Sequence, residues 1–446
     1  MEAALRRRPD AFEWLGLLAL AAAAAVLVLG AVKAPAIAAL LVLAGAVVLV
    51  ALARTDLAIL LVVATAPVEG AFASGPGISV TKLTGGLCIA SFALSVVRQR
   101  RVLVFELGQA LVLGILGLAM VSMLQAQDTS AAITTTVRYA SFALVYVIFT
   151  QYGHDHVLQR RICWTLVVSC AVASALGLEQ YLSGKQDLAT LPNANPDDLA
   201  FVLATSLPLM FVVLNGPRLL RPLVLGAIAL VCAGLLLTLS RGAFLGLAAG
   251  FVLFVLTDRR HWRLTLAVGI AATVGTLLVI HSNPQRFQNA LALKGRVAHQ
   301  NVTTRFEAWD AAARLAASHP LLGVGPGNYQ FYFNELTGVP VGSPLTLGVA
   351  HNALLDIAAE LGVIAMCLLA LYLVLVFSRL TAALQRGYGD PAFVHALRIS
   401  LTIAVVSSMF LSEQYFLPFW LIGGLAGAIW VRGSESAGEF VPAPAG

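Results

Sequence analysis

Residues 221–257 read RPLVLGAIALVCAGLLLTLSRGAFLGLAAGFVLFVLT. Two apolar runs meet at one polar break, Leu239-Ser240-Arg241-Gly242. Each run is long enough to span roughly 30 Å of hydrocarbon. In lipid a spanning segment must satisfy its own backbone, and runs of this length do so as helices rather than barrel strands. The stretch therefore predicts a helical hairpin with an arginine in its turn. Runs of the same kind recur along nearly the whole chain, from 14–32 to 417–431. The expectation is an all-α, polytopic integral membrane protein of about twelve to fourteen transmembrane helices. Composition excludes an ordinary soluble protein: 11% of residues are charged, against about 25% in soluble domains.

Charge sets the orientation. With the N-terminus in the cytoplasm, Arg54, Arg98, Arg100, Arg101, Arg160, Arg161, Arg218, Arg221, Arg259, Arg260, Arg263, Arg379, Arg386, Arg398 and Arg432 all fall inside. The opposite short loops, 70–80, 124–132 and 181–198, carry only Lys185 as a Lys or Arg. This positive-inside pattern places both termini in the cytoplasm and residues 282–350 on the other side, periplasmic or otherwise external. The chain divides into an N-terminal bundle (1–281), a large periplasmic loop with short helices (282–350), C-terminal spans (351–431) and a disordered cytoplasmic tail (432–446). The first run, Trp14–Val32, follows Arg6-Arg7-Arg8 but lacks a convincing small-residue cleavage site, so it reads as a retained span. The net charge of +6 encodes topology and is no signal for nucleic acid. Cys88, Cys163, Cys170, Cys232 and Cys367 lie in apolar runs without ligand spacing and read as buried thiols.

The chemistry-bearing residues gather on the external side. Arg138, in Thr134-Thr135-Thr136-Val137-Arg138-Tyr139, and Arg241 both break the positive-inside bias. An arginine near the bilayer is costly and is usually paired or functional, or else snorkels to the interface. Its planar fork suits phosphate. Within the large loop, Thr304-Arg305-Phe306-Glu307 has the spacing of a capping box, which predicts a helix starting at Thr304 with Arg305 in its first turn. That helix stops at His319-Pro320, with Phe306, Trp309 and Ala313 on one face. Gly323-Val324-Gly325-Pro326-Gly327-Asn328-Tyr329 lacks phosphate-loop spacing and reads as a turn, followed by a short helix over Asn328–Leu336. His351 stands where the chain re-enters the membrane, at the head of a predicted helix Asn352–Phe377. The positive helix end there favours a neutral imidazole, the usual general base. Asn352, Asp356 and Glu360 form a polar stripe on the next turns. His154-Asp155-His156 lies beside Arg160-Arg161 and reads as a solvated cytoplasmic loop. No external cluster has metal spacing, so neither metal nor other cofactor is expected.

Three segments carry a resemblance. They are the Ser240-Arg241-Gly242 turn, the stretch from Arg305-Phe306-Glu307-Ala308-Trp309 through His319-Pro320 to Tyr329, and His351-Asn352-Ala353-Leu354-Leu355-Asp356 through Gly362. Together they resemble the O-antigen ligase and O-antigen polymerase superfamily of bacterial envelope glycosyltransferases, over roughly residues 195–365. The resemblance implies about twelve helices, a large late periplasmic loop, and an undecaprenyl-pyrophosphate-linked glycan as donor. Transfer would be metal-independent, to lipid A–core in the ligase branch. It also implies pyrophosphate binding by Arg241 and Arg305 with Arg138, and makes His351 the counterpart of the family's essential histidine. Asp356 or Glu360 would orient that histidine. A polymerase extending the lipid-linked glycan is the main alternative. A protein O-oligosaccharyltransferase and a transporter of lipid-linked sugars come behind it, and a transporter would need ionisable residues along the middle of the membrane. Oligomeric state is not legible.

Overall fold

The computed structural model describes residues 45–72, 80–99, 103–192, 194–257, 262–338, 348–412, 414 and 416–438. All regular structure among them is helical. In chain order the main helices are α1 (Thr55–Thr65), α2 (Val80–Gln99), α3 (Leu107–Ser122), α4 (Thr129–Tyr152) and α5 (His156–Ser183). There follow α6 (Pro196–Val212), α7 (Arg221–Thr238), α8 (Arg241–Thr257), α9 (Trp262–Ser282) and α10 (Pro284–Ser318). The chain closes with α11 (Tyr329–Thr337), α12 (Ala353–Leu361), α13 (Val363–Arg386), α14 (Pro391–Ser408) and α15 (Leu417–Ser436).

Among the described residues eight helices are long and apolar enough to cross a bilayer: α2 to α7, α13 and α14. Shorter apolar helices cover Arg241–Thr257 and Thr273–Ser282. The predicted run 14–32, most of 35–52 and residues 439–446 of the predicted tail lie outside the described residues; the tail's first residues, up to Ser436, continue the last helix, α15. The run predicted at 57–69 is the 11-residue α1 followed by a 3-10 turn, too short to span alone.

Caps explain where the chain reverses. Asp128 accepts from the Ser130 and Ala131 N–H groups at the start of α4. Asn195 accepts from Asp197 N–H with Pro196 at the first position of α6, and Asp390 does the same for α14 ahead of Pro391. These ends alternate between two faces, one carrying His351 and the other the arginines that flank the spans.

The bundle interior is aromatic. Trp420 of α15 stacks on Tyr372 of α13 at 5.6 Å and on Phe142 of α4 at 6.0 Å, and Tyr146 meets Tyr372 edge-on at 5.7 Å. On the arginine-rich side of that layer, Glu106 caps α3 and takes hydrogen bonds from Tyr146 Oη at 2.7 Å and from Arg379 Nη1. This buried ion pair ties α3, α4 and α13 together.

Two predicted boundaries are corrected. No helix begins at Thr304: α10 runs unbroken for 35 residues from Pro284 to Ser318. The Thr-x-x-Glu spacing is also one helical turn, and no proline interrupts the chain between Pro284 and Pro320. The predicted end at His319-Pro320 is where α10 stops, since proline disfavours helix in the residue before it. The helix predicted over Asn352–Phe377 breaks at Gly362 (φ 89°), which separates α12 from α13. Of the polar stretch, α10 and α11 form a layer packed on α12 through Ala308, Ala311, Ala312 and Leu315, with Tyr329 and Phe333 from α11; residues 339–347 lie outside the described residues. Phe306 and Ala313 are exposed on the other side of α10.

Candidate functional site

His351 lies between the end of the polar layer and α12, and its backbone is strained. Its φ is 54°, a left-handed value that costs a non-glycine residue energy unless its surroundings enforce it. Among the described non-glycine residues only one other has positive φ: Leu239, at 53°, two residues before Arg241. Both strained positions therefore fall beside residues picked out for chemistry. Strain of this kind collects where a side chain must be aimed.

Three interactions enforce the His351 conformation. Asn352 caps α12, accepting from Leu354 N–H and Leu355 N–H, both at 3.1 Å. Its own amide donates to Met409 O at 3.2 Å, tying the cap to the end of α14. Asp356, fully buried, accepts from Ala350 N–H at 2.8 Å and from Gln414 Nε2 at 2.8 Å. Burial holds the Asp356 carboxyl above the usual carboxylate range. Asp356 therefore fixes the peptide preceding His351, and the imidazole itself makes no hydrogen bond among the described residues. The expectation that Asp356 orients the histidine takes this indirect form.

Glu360 serves the glycine turn instead. Its carboxylate accepts from Gly327 N–H at 2.8 Å and Tyr329 N–H at 3.4 Å. Its backbone oxygen takes Gly325 N–H at 3.0 Å and Ser122 Oγ at 2.8 Å. Gly323 (φ 62°) approaches so closely that an added Cβ would fall 2.3 Å from Glu360 C, with backbone that has nowhere to move. Asn328 closes the turn against α4, its amide pairing with Asp128 N–H at 2.8 Å and Asp128 O at 3.2 Å. The predicted turn thus docks the polar layer onto the helices, and the short helix after it is α11.

Arg241 opens α8 and is exposed, while Arg305 on α10 is half-buried. Burial draws the Arg305 guanidinium below its ordinary value; Asp197 opposes that and the nearby Arg241 charge adds to it. His351 is drawn down to about 4, first by burial, then by the Arg305 charge, with Asp197 again opposing. Its imidazole is neutral at pH 7. The charge of Arg241 thus bears on Arg305, and that of Arg305 on His351. Asp197, in the first turn of α6 and not singled out by its sequence, bears on both Arg305 and His351. Asn195-Pro196-Asp197-Asp198 reads there as a cap, a proline start and an acidic first turn, a sufficient explanation by itself.

Arg138 is exposed on α4, one turn beyond Thr135, where Gly327 packs, and is not among the charges that bear on His351 and Arg305. The aromatic edge of the site is Trp309, 5.5 Å from Phe306 and 6.5 Å from Phe410 between ring centroids. Arg286, left unassigned by sequence, donates to Tyr181 O at 2.6 Å and Leu182 O at 2.7 Å, so it clasps the end of α5. Among the described residues no group of three or more His, Cys, Asp or Glu is placed to hold a metal ion.

Arg241 at the start of α8 and Arg305 midway along α10 are guanidinium groups that suit a polyanionic leaving group, and the neutral His351 imidazole can accept a proton. Residues 225–370 match the model of the O-antigen ligase family, and the match supports assignment to the O-antigen ligase superfamily. It includes Arg241, Arg305, His351, Asn352, Asp356 and Glu360; Arg138 and Asp197 lie before it. No curated protein matches the chain.

Proposed function

Because residues 225–370 carry the O-antigen ligase match, we propose that this chain is an inverting, metal-independent membrane glycosyltransferase that moves a glycan from undecaprenyl pyrophosphate to lipid A–core on the periplasmic side of the inner membrane. The observation that carries the reading is the grouping of Arg241 and Arg305 with His351, which is held neutral at pH 7 on a strained backbone.

Chemistry at the sugar C1 needs two kinds of help. As the C1–O bond to the carrier breaks, negative charge grows on the pyrophosphate. Arg241 and Arg305 bind it, each worth roughly 3 kcal/mol if well placed. Arg138, exposed on α4, meets the donor on its way in. Meanwhile the acceptor hydroxyl must lose its proton as it attacks C1 from the opposite face, and His351 takes that proton. The leaving pyrophosphate keeps the electron pair of the broken bond, the acceptor oxygen forms the new one, and the anomeric configuration inverts once. Fixed guanidinium charges supply the stabilisation that a divalent cation gives in other pyrophosphate chemistry.

Reconstitution of the full chain with an undecaprenyl-pyrophosphate glycan and lipid A–core tests this reading. It expects glycan on lipid A–core with EDTA present. Longer glycan still attached to its carrier would replace ligation by polymerisation at the same site, and no transfer to either would refute the reading.

A further inference from the structure

On the face opposite His351, an apolar cavity of about 630 Å³ lies between α6, α8, α9 and α14. Leu207 and Phe211 of α6, Phe251 and Phe254 of α8, Ile270 of α9 and Ile399 of α14 line it. That volume is within the ~300–1,000 Å³ of ligand-holding pockets. Phe251 and Ile270 are exposed at its rim, so it opens sideways, toward where lipid would stand. From Arg241 to Phe254 α8 advances about 20 Å at 1.5 Å per residue, so the cavity reaches the far end of the bundle from the catalytic group.

Beside the polar end of this cavity, though not among its lining residues, stands the buried charge of Arg398. His395 lines it, and Arg398, one turn further along α14, places Nη2 3.5 Å from His395 Nδ1. Arg398 is 7% exposed, and its buried Nε has no hydrogen-bond partner. Among the described residues no carboxylate forms an ion pair with it, whereas the other buried arginine, Arg379, has Glu106. A buried cation without a counter-ion is expensive, and at a membrane face the available counter-ions are lipid phosphates. Arg218 and Arg221 are exposed on the same face and attract anionic headgroups to it.

We infer that this cavity binds an anionic phospholipid from the leaflet on the arginine-rich face, its phosphate held by Arg398 and His395 and an acyl chain lying among the cavity's apolar side chains. A free phosphate would leave the apolar walls unfilled. The isoprenoid donor of the transfer reaction has its pyrophosphate on the opposite face, and one headgroup cannot occupy both ends. The choice of a phospholipid over an isoprenoid rests on the proposed activity, but the test stands apart from it, because its readout is lipid retention.

The test is native mass spectrometry on the full-length protein, delipidated in detergent and titrated with phosphatidylglycerol or phosphatidylcholine. Wild type is expected to keep one phosphatidylglycerol, with at least tenfold preference over phosphatidylcholine, and Arg398→Gln to lose that preference. Ile270→Trp, a change at the exposed rim, is expected to reduce binding of both lipids by blocking entry. Equal binding of the two lipids by wild type, a preference surviving in Arg398→Gln, or a co-purified isoprenoid in this cavity would each overturn the inference. Should Arg398→Gln fail to fold, Ile270→Trp decides: loss of the retained phosphatidylglycerol supports the site and full retention refutes it.

Discussion

Asp356 offers the sharpest separation between holding the site and reacting in it. Its carboxylate accepts from Ala350 N–H and Gln414 Nε2, each at 2.8 Å, with no exposed surface. Asp356→Ala strands both donors. Each unsatisfied buried donor costs about 1–3 kcal/mol, so the loss for two should be about 2–6 kcal/mol of stability. It also frees the peptide that holds His351 at φ 54°. A displacement of about 1 Å at the reacting group costs roughly 100-fold in rate. Asp356→Asn behaves differently. Its Oδ1 can still accept from Ala350 N–H, and its Nδ2 can donate to Gln414 Oε1, which has no partner at present. That requires only a flip of the Gln414 amide, so the cost should stay near 1 kcal/mol, with activity within a few-fold of wild type. Thermal unfolding in detergent reads the stability, and transfer per folded molecule reads the rate. An Asp356→Asn variant as inactive as Asp356→Ala would show that the carboxylate charge itself is needed, and this argument would fail.

Other expectations follow from the same geometry. His351 titrates near pH 4 in the free protein. A base must be unprotonated, so kcat/KM governed by His351 should stay flat from pH 8 down to about 5 and fall only as pH approaches 4; a limb at pH 6–7 would point to another base. Arg305→Lys keeps the charge but loses the planar fork. It should lower kcat/KM by about 10- to 100-fold without changing the melting temperature, and an unchanged rate would remove Arg305 from the pyrophosphate site. Arg379→Ala leaves Glu106 buried without its cation at the far end of the bundle. It should destabilise by about 3–5 kcal/mol while activity per folded molecule holds, and a selective loss of activity would link that end to the site.

The all-helical architecture was legible because lipid leaves an apolar run few choices: its backbone must bond to itself. Arg241, Arg305 and His351, the residues the proposed mechanism uses, stand out in the sequence for a related reason, since charge on the arginine-poor side needs an explanation. The start of α10 was not. Thr304 and Glu307 have the spacing of a cap and equally of a mid-helix pair, and only the unbroken chain back to Pro284 decides between them. The polar stripe of Asn352, Asp356 and Glu360 was visible, but their partners come from Met409, Gln414, Ala350 and the glycine turn, which no local pattern can reveal. Asp197 was hidden by being a good helix-start residue. Its nearness to Arg305 and His351 arises from the packing of α6 among helices drawn from far along the chain.

In the proposed mechanism His351 removes a proton from the acceptor while arginines hold the leaving pyrophosphate. The decisive comparison is the initial rate of glycan transfer to lipid A–core by purified wild type and His351→Ala, side by side in EDTA. Wild type should transfer glycan and the variant should lose about 100- to 10,000-fold, the range a general base supplies, with no change in melting temperature. Equal rates for the two proteins would contradict this mechanism and leave His351 a residue that only shapes the start of α12.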